Sequence, residues 1–318
     1  MRDWSWAPTG THLAVAMSRT NSVDDGYMFT RLFVVAPDGG TVERLVDNPG
    51  KLGSFAWSPD GERLAFIGAA DRNDPHAGML FVCDRGSKAV IGLTEGLRGA
   101  VRDVDWVDDT NLRVLYDIGV RSFVAVMPID GGKLPRDDAL PVPASHAFAK
   151  LGSSGRIALV GSTATHPDEL FVEESDGSFR RATVTNPWLD EVTLAAQQVV
   201  RVSASDGVEI EGLRLLPVGH ADGDRHPLVI VAHGGPESHY QDGWLTRYAE
   251  PGQVLAGMGY VVWYPNYRAS TGYGVAFAKA DHGDPMGREF HDHLDAIAAF
   301  DAAGLIDQER VGVIGGSY

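Results

Sequence analysis

The first half of the chain repeats itself, and a sequence with a period of about 50 residues is confined to a few architectures. WSWAPTGTHLAVAMS from Trp4, FAWSPDGERLAFIGA from Phe55 and VDWVDDTNLRVLYD from Val104 share one grammar: an aromatic, a polar turn, then an apolar strand. Trp6, Trp57 and Trp106 are separated by 51 and 49 residues, and a fainter copy, FAKLGSSGRIALVGS, begins at Phe148. The period is roughly that of a four-stranded propeller blade. In Ser58-Pro59-Asp60-Gly61, proline presets φ, aspartate bonds the local backbone and glycine eases the exit, so a tight turn is expected. The 38 glycines and 17 prolines suit many short strands. Each repeated tryptophan is expected to pack between adjacent blades, because a repeat needs the same core residue at the same place. Four units are few for a closed ring, so a partial β-propeller over residues 1–190 is expected, with blades missing upstream.

Around residue 190 the grammar changes. Val199 to Pro217 alternates on either side of Ser205-Asp206-Gly207 and reads as a hairpin. Pro227 to His233 and Gly259 to Pro265 are continuous apolar runs, the pattern of parallel strands covered on both faces, and Arg310 to Ile314 is a third. Gln253 to Met258 reads as part of a helix, and Phe290 to Gly304 as an amphipathic helix with Phe290, Leu294 and Ile297 on its apolar face. Strand, helix, strand, helix, strand is a parallel α/β sheet over residues 191–318.

The last strand opens into Gly315-Gly316-Ser317-Tyr318, the first four positions of G-x-S-x-G. That turn lifts a serine hydroxyl above the sheet on a strained corner, where flanking glycines are expected to avoid clashes. His233-Gly234-Gly235-Pro236 follows the first buried strand, where an α/β hydrolase places the loop that donates one backbone N–H to the oxyanion. Gly235 and Tyr318 are the expected oxyanion donors, with Ser317 as nucleophile.

VIVAHGGPESH, GYVVWYPNYRASTGYG, GDPMGREFHDHLDAI and VGVIGGSY, in this order and behind SPDG-type, TolB-like blades, resemble the prolyl oligopeptidase family of serine peptidases, in its acylaminoacyl-peptidase and dipeptidyl-aminopeptidase branch. Two positions depart: Ala269 stands where the family usually has glycine, and Pro285 where an aromatic is common. The resemblance implies a propeller that gates an α/β-hydrolase domain and restricts it to short peptides or acyl-peptides. It also implies that the triad Asp and His lie downstream of Ser317. Without them the serine is a poor nucleophile, so the chain reads as a fragment, truncated after the nucleophile elbow and inactive as it stands. An esterase or amidase on the same fold, or a propeller that binds without catalysis, are the alternatives.

Other residues carry less. His233 is expected to shape the oxyanion loop, with a catalytic side-chain role as the alternative. His291 and His293 lie two apart on a helix and cannot grip one metal ion. Glu173-Glu174 could meet a substrate amine, but a solvated turn before Ser175-Asp176-Gly177 is expected; Arg268 is expected to be a structural ion-pair partner. Gly272-Tyr273-Gly274 lacks the third glycine of a dinucleotide loop, and no phosphate-binding loop is present, so no cofactor and no metal are expected. The balance of 27 Lys+Arg against 43 Asp+Glu, a net charge of −16, disfavours nucleic acid and anionic lipid. The single cysteine, Cys83, reads as a strand hydrophobe and fits a reducing compartment. With no signal-like start and no run of ~18 apolar residues, a cytoplasmic protein off the membrane is expected, its oligomeric state open.

Overall fold

The computed structural model describes residues 3–136, 139, 140, 142, 144–150, 156–235 and 237–317. Strands dominate. Among the described residues four antiparallel sheets precede one mixed sheet, and the chain divides into two compact units: residues 1–118, 123–139 and 273–275, and residues 119–122, 140–272 and 276–318.

In the first unit, β1 (Asp3–Trp6), β2 (Leu13–Met17), β3 (Arg31–Val35) and β4 (Val42–Val46) form the first sheet, with a short helix α1 (Val23–Met28) between β2 and β3. The second holds β5 (Leu52–Trp57), β6 (Arg63–Gly68), β7 (Met79–Asp84) and β8 (Val90–Gly92), the third β9 (Ala100–Trp106), β10 (Asn111–Ile118) and β11 (Arg121–Pro128). The SPDG turn forms as expected: Gly61 N–H donates to the Ser58 carbonyl at 2.9 Å, Ser58 Oγ donates to Asp60 Oδ1 at 2.5 Å and Glu62 N–H to the same oxygen at 2.9 Å. The Ser58 hydroxyl, chiefly, holds the Asp60 carboxyl below its usual range.

The tryptophans explain the period. Trp57 Nε1 donates to the Ser5 carbonyl of β1 at 3.1 Å, and Trp106 Nε1 to the Ala56 carbonyl of β5 at 2.9 Å. Each indole is pinned to the first strand of the preceding sheet, and the two rings are 6% and 1% exposed. Trp6 departs from the expected packing at 48% exposed, because among the described residues no sheet precedes its own. Cys83 is fully buried on β7, where loss of water pushes its thiol up to about 11, as suits a strand hydrophobe.

In the second unit, β12 (Ala144–Lys150), β13 (Ile157–Thr163), β14 (His166–Glu173) and β15 (Phe179–Arg181) form the fourth antiparallel sheet. The turn of the faint fourth repeat, residues 151–155, lies outside the described residues. β16 (Gln197–Ser203) and β17 (Glu209–Leu215) make the expected hairpin, closed by Gly207 N–H on the Ala204 carbonyl at 2.8 Å. With β18 (His226–Ala232), β19 (Val261–Pro265) and β20 (Ile306–Gly315) they form a sheet of order β16-β17-β19-β18-β20, in which β18 runs parallel to both neighbours.

The helices are α2 (Gly252–Gly257), α3 (Val275–Ala278) and α4 (Arg288–Ala302). Alternate residues of the central strands enter two cores: Val229, Val231, Val262 and Tyr264 in one, Leu228, Ile230, Val261 and Trp263 in the other. That division accounts for the unbroken apolar runs.

Two expectations about this sheet are corrected. Phe290 and Leu294 are exposed, whereas Ala296 and Phe300 are buried. Phe300 meets Trp263 edge-on at 5.2 Å, and α4 also buries Asp292 against Arg268, which rotates the helix away from its most apolar stripe. β20 starts four residues earlier than the apolar run; among the described residues it stands at the edge of the sheet, with Val313 69% exposed. Among the described residues no helix is long and apolar enough to cross a membrane.

Candidate active site

The carboxyl ends of β18 and β20 lie side by side, with Ala232 opposite Gly315 in a parallel register. Open α/β sheets bind ligands at this edge, where strands release their loops. One loop carries His233, Gly234 and Gly235; the other carries Gly316 and Ser317.

Ser317 has φ +64°, a left-handed conformation that a non-glycine residue adopts at a cost of about 1–2 kcal/mol. The strained corner expected of a nucleophile elbow is therefore present in the backbone. Of the flanking glycines, Gly315 is needed: a Cβ there would lie 2.8 Å from the Ala232 carbonyl oxygen. A Cβ on Gly316 would meet nothing within 4 Å among the described residues.

The opposing loop is tighter. A Cβ on Gly234 would sit 2.3 Å from the Gly316 carbonyl oxygen and 2.9 Å from Ser317 Cβ. Only a bare Cα lets this loop touch the serine corner. Gly235 has φ +136° and follows directly. Pro236 and Tyr318, the latter expected as the second oxyanion donor, lie outside the described residues.

His233 lies beneath the site, 5% exposed. Ser270 Oγ donates to the Tyr267 carbonyl at 2.5 Å and has only one proton, so at 2.9 Å it accepts from His233 Nε2. His233 Nδ1 lies 3.2 Å from the Gly234 carbonyl oxygen. Tyr267 stacks on the imidazole at 4.5 Å, and its hydroxyl donates to the His233 carbonyl. Burial depresses the imidazole to about 4, so at pH 7 the ring is neutral and a weak base, with its one proton on Nε2 donated to Ser270. These facts suit a loop-shaping residue and argue against a general base.

The loop after β19 supplies contacts that sequence reasoning missed. Asn266, fully buried, accepts Tyr240 N–H at 2.7 Å and donates Nδ2 to the Tyr240 carbonyl at 2.9 Å, clamping the chain beyond Gly235. Thr271 N–H reaches the Ser238 carbonyl at 3.0 Å. Only the placement of Asn266 directly after an apolar strand hinted at this duty.

Arg268 is the structural ion-pair partner expected. It grips Asp292 through Nε at 3.0 Å and Nη2 at 2.7 Å, and Asp206 through Nη1 at 2.5 Å. Asp206 also accepts Arg288 at 2.6 Å, and its carboxyl is held far below the usual range, first by Arg268. Every cationic nitrogen of Arg268 faces a carboxylate, which ties the β16–β17 turn to α4.

The glutamate pair lies elsewhere. Glu173 accepts Ile157 N–H at 2.9 Å and Glu174 accepts Arg180 Nε at 2.6 Å, both within the fourth sheet. His291 and His293 diverge as expected, His291 exposed and His293 packed on Tyr267 at 5.1 Å.

Residues 247–318 match the model of the prolyl oligopeptidase family. An uncharacterized peptidase of Bacillus subtilis, YuxL, is 32% identical over 48% of this chain and 23% of its own length. A probable dipeptidyl-peptidase 5 of Aspergillus flavus is 26% identical over 91% of this chain and 42% of its own. Among solved structures, Pyrococcus horikoshii acylaminoacyl peptidase superposes with a TM-score of 0.73 at 22% identity, covering 98% of this chain and 47% of that one, which speaks for the fold. The chain spans less than half the length of each of these proteins. Residues 247–318, the segment that bears Ser317 and the loop after β19, thus match the prolyl oligopeptidase family, and a probable dipeptidyl-peptidase aligns along 91% of the chain.

Proposed function

We propose that this chain carries the nucleophile and oxyanion half of a serine peptidase site acting on short peptides or acyl-peptides. Ser317 Oγ attacks the scissile carbonyl carbon, the carbonyl π pair moves to oxygen, and the N–H groups of Gly235 and Tyr318 stabilise that charge. The serine proton passes to the histidine base and from it to the amine that collapse expels, leaving an acyl ester on Ser317 that water hydrolyses. The observation that carries this reading is the left-handed Ser317 corner against the Gly234 backbone.

Residues 1–190, with about four blades, are assigned to a partial propeller, and 191–318 to the first part of the hydrolase domain. Chain order in this fold is serine, acid, histidine, so we place the acid and base after Tyr318. His233 does not substitute, because burial makes it a weak base and its N–H is committed to Ser270.

Fluorophosphonate labelling tests the assignment. This chain is expected to label no more than a Ser317→Ala control, and strong, Ser317-dependent labelling would show that a base is already present. In a polypeptide that also contains the acid and histidine, peptide anilides are expected to turn over faster than short-chain esters, and Ser317→Ala to lower kcat by at least about 10⁴-fold. The reverse preference would favour the esterase reading.

A further inference from the structure

The connection from β17 to β18 carries a cluster that takes no part in the site above. It runs Pro-Val-Gly-His-Ala-Asp-Gly-Asp-Arg-His from Pro217 to His226 and folds back on itself. His220 N–H donates to the Pro217 carbonyl at 3.0 Å and Asp224 N–H to the Ala221 carbonyl at 3.1 Å. These turns bring His220, Asp224 and His226 together, so that one potential ligand atom from each lies within 4.8 Å of the others. The closest pair is His220 Nδ1 and His226 Nε2, 2.9 Å apart.

The donors are held from behind. His226 opens β18, and its N–H donates to the Leu305 carbonyl at 3.0 Å. Asp224 Oδ2 accepts Ala221 N–H at 3.0 Å, which orients its carboxylate as an outer hydrogen bond orients a metal ligand. Arg225, the cation between two of the donors, is paired with Asp301.

Two imidazoles and one carboxylate form a donor set that suits Zn²⁺ and related divalent transition metals. Two nitrogens bound tetrahedrally at about 2.05 Å lie about 3.3 Å apart. The histidine pair therefore needs to open by only about 0.4 Å, and the exposed Asp224 to swing in by at most about 1.5 Å. We infer that His220, Asp224 and His226 form a site for a Zn²⁺-class ion, with water in the fourth position. His226 and His233 flank opposite ends of β18, about 23 Å apart at strand rise, so the ion fastens the β17–β18 turn to the sheet and stays out of the acyl-transfer chemistry.

The test is titration of the chain with Zn²⁺ by calorimetry, and with Co²⁺ by its visible absorption. One ion per chain is expected, with a thermal midpoint raised by Zn²⁺. His220→Gln and His226→Gln should each weaken binding by at least about tenfold and remove that rise, whereas His291→Gln should leave both unchanged. Asp224→Asn sits on an exposed turn and keeps the fold, so a several-fold loss of affinity with an unaltered metal-free urea midpoint reports ligation alone. Failure to take up one ion per chain, or equal uptake by a His220→Gln/His226→Gln double variant, overturns the site.

Discussion

Ala269 shows how one side chain is held in place by cancelling effects. It occupies the left-handed region at φ +77°, and its methyl is buried. Glycine there would relieve about 1–2 kcal/mol of strain but lose about 0.8 kcal/mol of methyl burial and restore about 0.5–1 kcal/mol of chain entropy. Ala269→Gly is therefore expected within about 0.5 kcal/mol of the parent. Ala269→Val, β-branched at positive φ in a filled space, should cost at least about 2 kcal/mol. Urea denaturation of both variants checks the pair. The departure from the family's glycine was visible in the sequence, and the backbone gives its meaning. Ser317, Gly234 and Gly235 were equally visible, through two small-residue loops after apolar strands and the family resemblance, and the backbone brings those two loops together. Asn266 and Ser270 were not, since a buried polar side chain is recognised only by the carbonyls and N–H groups that the fold brings to it.

At the level of elements, the strands and turns were readable because their periodicity is local. The buried face of α4 was not. Its orientation is set by Arg268 and Trp263, which lie 24 and 37 residues away in sequence from Asp292 and Phe300. Apolar count alone favoured Phe290 and Leu294. The repeated tryptophans were half readable: their positions follow from the period, whereas exposure depends on whether a sheet stands before them. Trp106→Phe, which keeps the ring but leaves the Ala56 carbonyl without this donor, should cost about 1–2 kcal/mol. Trp6→Phe should change stability by less than about 0.5 kcal/mol. Equal losses in the two variants would contradict the hydrogen-bonded packing.

For the molecule as a whole, acid acts through two histidines before it reaches the carboxylates. Burial lowers His233 and His293 to about 4 each, against about 6.5 in an unfolded chain. Between those values the unfolded state binds more protons, so stability is full above about pH 6.5 and falls as pH drops toward 4. From pH 7 to pH 5 each histidine should account for about 2 kcal/mol. His293→Gln should remove about half of the total, as read from urea midpoints at the two pH values. Asp206 works in a lower window: its depressed carboxyl supports the fold above about pH 4 and loses that support as the pH falls through its folded value. A stability profile flat from pH 7 to 5 would refute the buried-histidine account.

The backward-pointing indoles also make the first unit self-reporting. Because Trp57 donates to β1 and Trp106 to β5, each ring senses the integrity of the sheet before its own, so its fluorescence is an optical gauge of its neighbour. Single-tryptophan variants would then record the order in which successive sheets detach, a sequence of events that a global melting curve averages away.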